Sequence, residues 1–186
     1  MNEDTHTSSG MDDALVAALM EVERHVGSAG WGQPARLFAL VPTAELIAAE
    51  PHLAEHLGVS AATEPQPGAL TPVEQDPWPG ARDDRPWEAL SRISFPATVH
   101  GCVLSLERAF LSSTHAAELS DDPATAAEQV ANDPRAQEIR AVVGVTRTGG
   151  RHGVARLKSH PDDLLGAAEL VPGLPDLLAA TLEDDA

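Results

Sequence analysis

The chain has 186 residues, 42% hydrophobic and 22% charged, and its 12 Lys and Arg against 29 Asp and Glu give a net charge of −17. That length suits one domain or at most two, and no apolar run approaches the roughly 18 residues of a membrane-spanning helix. The negative balance argues against a nucleic-acid surface, which needs concentrated positive charge.

A single cysteine, Cys102, excludes an intramolecular disulfide framework and a thiolate-only zinc site. Three Trp, three Phe and no Tyr leave little material for stacking platforms. The opening Met-Asn-Glu-Asp-Thr-His has neither cation nor apolar stretch, so no secretory signal is expected and the cytoplasm is the expected compartment. Lysine occurs once, at Lys158, beside eleven arginines and abundant alanine, a bias that a GC-rich genome accounts for.

Residues 1–10 are polar and are expected to be disordered, with Asp12 or Asp13 as the first helix cap. Leu15, Ala18, Leu19, Val22 and Val26 then recur at three- and four-residue steps, one face of an amphipathic helix that Gly27 ends. The short apolar run at 36–41, bounded by Pro34 and Pro42, has the pattern of a buried strand. Thr43 is placed to cap a second helix over 44–57, kinked or split by Pro51. Residues 61–86 hold six prolines, two glycines and few large apolar groups, the composition of a mobile, removable surface loop. Within it Thr71-Pro-Val-Glu74 has capping-box spacing, but Pro77 and Pro79 limit it to one turn.

A short helix is expected over 87–92. From 98 to 111 the pattern alternates, with His100, Cys102, Leu104, Leu106, Arg108 and Phe110 on one face and Val99, Val103, Ala109 and Leu111 on the other. Asp122-Pro123 opens a helix over 123–132 that Asp133-Pro134 closes. Ile139, Ala141, Val143 and Val145 alternate again, Thr148-Gly-Gly-Arg151 forms a hairpin turn, and the chain returns over 152–158. A last helix over 173–182 shares a face among Leu174, Leu177, Leu178 and Leu182. The order predicts a single α+β domain over 11–183: a mostly antiparallel sheet of four to five strands with helices over one face.

Three groups of residues could carry chemistry. His52-Leu-Ala-Glu-His56 matches H-x-x-E-H; on a helix, His52 and His56 lie one turn apart and could hold Zn²⁺, with Glu55 polarising a water. The supporting helix is only about two turns long, and surface His and Glu on a polar face are ordinary. His100 and Cys102 share a strand face and could form an activated thiolate or a metal pair. Neighbours two apart on a strand point parallel, though, and a free Cys in an apolar stretch behaves as a small buried hydrophobe. The third group is electrostatic. Six bases and one acid lie between 135 and 158, and seven acids and no base follow. Either this hairpin's cations pair with acidic helices of the same chain, or Arg147, Arg151, His152 and Arg156 form a surface for an acidic partner.

The stretches Gly-Trp-Gly-Gln-Pro-Ala-Arg-Leu-Phe-Ala-Leu-Val at 30–41 and His-Gly-Cys-Val-Leu-Ser-Leu-Glu-Arg at 100–108 go with the hairpin and with Leu-Val-Pro-Gly-Leu at 170–174. Together they resemble a conserved-hypothetical actinobacterial family over about 11–183. The resemblance implies a cytoplasmic protein and transfers no functional residue. The expected function is a non-catalytic binding or adaptor domain using its sheet and basic hairpin. No catalytic residue or cofactor is expected; the partner is protein, a second copy included, not nucleic acid or membrane. The alternative is a metal-dependent hydrolase with zinc on His52 and His56 and with Glu55 as its base.

Overall fold

Two long alternating segments set the architecture, because strands apolar on both sides must be covered on both. The computed structural model describes residues 4–53, 56, 66–111 and 118–183. Its first half holds α1 (Asp4–Ser28), β1 (Arg36–Pro42), α2 (Thr43–Ala49), β2 (Leu70–Glu74) and β3 (Gly101–Phe110). The second half holds α3 (Pro123–Asn132), β4 (Gln137–Thr146), β5 (Arg151–Leu157), β6 (His160–Ala167) and α4 (Leu174–Ala180). Short 3₁₀ segments lie at Pro51–Leu53 and Pro86–Arg92. The strands form one sheet in the order β2-β1-β3-β4-β5-β6, and every neighbouring pair is antiparallel.

The α+β class is the expected one, with two differences. The sheet has six strands rather than four to five, and helices cover both of its faces rather than one. On one side α1 lays Leu15, Leu19, Val22 and Val26 onto Phe38, Val103, Val142 and Val154. On the other, Leu174, Leu178 and Leu182 join Trp78 and Leu90 over Leu37, Cys102, Leu104 and Val143. Alternation along β3 sends Val103 to the first core and Cys102 and Leu104 to the second, so each strand residue is assigned by parity. Gly144 lets α1 lie close: a Cβ there would stand 2.8 Å from Leu19 and 3.0 Å from Val103.

Several boundaries differ from expectation. α1 reaches back to Asp4, into the stretch expected to be disordered; extending a helix already anchored by packing costs little per residue. α2 stops at Ala49, because Pro51 removes a donor and Glu50 before it takes an extended φ of −131°. Thr43 does not cap it: the hydroxyl pairs instead with that of Thr71 at 2.9 Å.

The expectation that 61–86 is a surface loop is corrected over 66–86; 61–65 lie outside the described residues. Residues 70–74 are an edge strand paired with β1, not a helical turn, and Trp78 is 7% exposed, donating from Nε1 to the Ala35 carbonyl at 2.9 Å. Pro72 is tolerated because an edge strand leaves one row of its donors unpaired. β6 was not expected, since its His-Pro-Asp-Asp start and mostly exposed residues carry no periodic signal.

Beneath the end of α1 runs a row of charges across three strands. Glu107, Arg140 and Arg156 are successive register partners on β3, β4 and β5, and Glu23 of α1 closes the row. Arg140 is 2% exposed; its Nη2 and Nε donate to Glu107 at 2.9 and 3.1 Å, and its guanidinium lies 4.4 Å from the Trp31 ring. A further Nη2 hydrogen bond reaches the Gly30 carbonyl. Glu107 also accepts from the backbone N–H groups of Gly32 and Gln33 at 2.7 and 3.2 Å. Arg156 grips both oxygens of Glu23, at 2.6 and 3.0 Å.

Removing one partner of such a pair strands the other. Glu107→Ala should lower stability by about 3–5 kcal/mol, read as a lower urea midpoint, and Glu107→Ala with Arg140→Met should recover most of the loss. An unchanged midpoint in the single variant would contradict the assigned role of the pair.

Candidate functional site

Strand parity decides the fate of the basic hairpin. Arg151 on β5 faces the α4 side and meets Asp176 at 2.6 Å. His152 and Arg156, of the opposite and shared parity, face the α1 side. The half-buried His152 ring lies against Gly166, where an added Cβ would be 3.3 Å from Nε2, and Arg156 holds Glu23. That contact keeps the Arg156 guanidinium above its ordinary pKa. Arg147, past the end of β4, donates to the carbonyls of Val99 at 2.8 Å, Phe95 at 2.9 Å and Pro96 at 3.1 Å, and to that of Leu182. These four residues therefore divide between two faces of the sheet, and the three guanidiniums among them bind groups of the same chain. They do not converge.

The two histidine candidates also part company. His52 is exposed, with Nδ1 3.3 Å from Glu50, and sits on the 3₁₀ segment rather than on a continuing helix; His56 is exposed and Glu55 lies outside the described residues. Among the described residues no group of three or more His, Cys, Asp or Glu side chains comes together. His100 is exposed, just ahead of β3, whereas Cys102 is fully buried against α4. The Cys102 Sγ lies 3.5 Å from the Leu178 carbonyl, to which it donates, and 3.4 Å from the Thr181 hydroxyl. Burial pushes this thiol up from 9.0 to about 12, outweighing the Thr181 hydrogen bond and the Arg147 charge that pull it down. It is a packing residue.

The concave site lies elsewhere, and strand length creates it. β3 and β4 each have ten residues, while α4 has seven; that is ~33 Å of strand beneath ~10 Å of helix. Past Cys102 and Leu104 the α4 side of these strands runs on beyond the helix, with Leu106 still buried. There a groove of about 800 Å³ is floored by Leu106 and Ile139 and walled by Trp87, Leu170 and Leu177. Leu170 seats close because β5 has glycine at 153, where a Cβ would stand 2.8 Å from the leucine. The volume lies in the usual range for small-molecule sites.

One cation interrupts the apolar lining. Arg108 stands opposite Ile139 in the ladder, stacks 4.9 Å from the Trp87 centroid and donates to the Asp84 carbonyl. Burial lowers its pKa, partly offset by the charge of the Asp84 carboxylate. The sequence carried a signal for this site. Arg108 falls on the same alternating face as Cys102, Leu104, Leu106 and Phe110, and a charge on an apolar face is the informative exception.

The sequence model of a family described as PPA1309-like protein matches residues 15–183, close to the stretch over which the sequence resemblance runs. No curated protein and no solved structure matches the chain.

The buried thiol has a measurable consequence. Above pH 9.0 the unfolded chain gains by ionising Cys102 while the folded chain keeps it protonated up to about 12, so stability falls through that window. Wild type should lose stability relative to Cys102→Ala as pH rises from 9.0 to about 12, measured by urea unfolding, and native thiol labelling should be slow. Rapid labelling near neutral pH, or parallel profiles for the two proteins, would contradict the buried assignment.

Proposed function

We propose that the chain, which belongs to the PPA1309-like protein family, is a non-catalytic binding domain whose site is the groove over β3 and β4 beside α4. The carrying observation is a concave apolar surface of about 800 Å³ containing one guanidinium. Such a surface stabilises an apolar ligand by removing its area from water, at about 25 cal/mol per Å² before the costs of binding. Among the described lining residues Arg108 is the one ionisable side chain, and no Ser, Cys, His, Asp or Glu is among them. The described lining is therefore suited to binding an apolar ligand rather than to proton transfer or nucleophilic attack. The hairpin cations support the same choice, since Arg151 and Arg156 are already held by Asp176 and Glu23 of the same chain.

A neutral apolar dye tests the site without involving Arg108. Nile red should bind the native protein saturably and brighten, and Leu177→Glu, at a wall position already 42% exposed, should weaken it about tenfold by placing a charge beside the dye. No saturable binding, or equal binding by the variant, would overturn the assignment.

A further inference from the structure

The strand arginines differ in how they are satisfied. Arg36 has Glu74, Arg140 has Glu107, Arg151 has Asp176 and Arg156 has Glu23. Among the described strand residues, Arg108 is the arginine with no carboxylate partner. Its one hydrogen bond, to the Asp84 carbonyl, uses one of five N–H donors on a guanidinium. The guanidinium carbon of Arg108 lies over the Trp87 ring, 4.9 Å from the centroid, which holds the fork against the groove wall.

We propose that the groove takes a small amphipathic carboxylate, with its apolar tail along Leu106 and Ile139 and its carboxylate on the Arg108 guanidinium. This rests on the groove being the binding site. A guanidinium fork matches a carboxylate with two parallel hydrogen bonds. A single cation in the lining matches a monoanion rather than a doubly charged phosphate, which would need a second donor group. Desolvation already disfavours the Arg108 charge, and an anion beside it reverses that cost. The Asp84 carboxylate favours the Arg108 charge but takes no hydrogen bond from the fork, whose acceptor is the Asp84 carbonyl. The net charge of −17 disfavours extended polyanions while one local guanidinium still accepts a small monoanion.

Displacement of Nile red from the full chain by decanoate, 1-decanol and decylamine separates the possibilities. Decanoate should displace the dye about tenfold more effectively than decanol, a difference of ~1.4 kcal/mol, and decylamine should be the weakest. Arg108→Gln should remove most of the preference for decanoate over decanol, and Arg108→Lys should keep part of it. Rising salt should shrink the wild-type preference, which gives a reading even if Arg108→Gln fails to fold. Equal displacement by decanoate and decanol in wild type, or a preference that survives Arg108→Gln, would overturn the ligand class while the groove remains a site. Failure of Nile red itself to bind would overturn both.

Discussion

A row of two neighbouring arginines flanked by two glutamates, under the end of α1, holds the layers in place. Glu107 and Arg140 pair across β3 and β4, and Arg156 on β5 takes Glu23 from the helix. Glu107 also receives the N–H groups of Gly32 and Gln33, and Arg140 lies against Trp31. One row thus ties α1, the loop after it and three strands. Its cations lie near the helix C-terminus, where the unsatisfied carbonyls favour positive charge. The net contribution of such a row is modest once desolvation is counted, and its main effect is on geometry. It fixes where α1 lies, leaving the opposite face of the sheet for α4 and the groove.

On that opposite face the deciding quantity is length. α4 is too short to cover ten-residue strands: Leu178 and, just past the helix, Leu182 pack in the core with Cys102, while Leu174 and Leu177 border the groove. The exposed edge of Leu177 and the strand residues from Leu106 onward are what remains. Arg147 strengthens the division by binding the Leu182 carbonyl and those of the turn before β3, which anchors the far end of α4. A guanidinium in a hairpin can serve as a brace, and here that use competes directly with recognition. Arg108, with a single carbonyl, is the contrasting case.

Local patterns in the sequence determined much of the protein: the amphipathic stripe of α1, the two alternating strands, the Asp122 cap that accepts from the Thr125 N–H at 2.8 Å, and the burial of Cys102. These follow from period, caps and turn residues, which act over a few positions. Tertiary structure alone decided the rest. β2 and β6 are edge strands formed by pairing with a neighbour already in place, against their own Pro- and Asp-containing sequences. Arg140 reads locally as an exposed position on a strand, and only the register that sets it between Glu107 and Arg156 makes it a buried brace. The groove has no sequence motif because it is a difference between the length of two strands and the length of the helix that covers them. Arg108 could be seen on its apolar face from the sequence, but whether a carboxylate of the chain would reach it depended on packing between distant segments, and among the described residues none does.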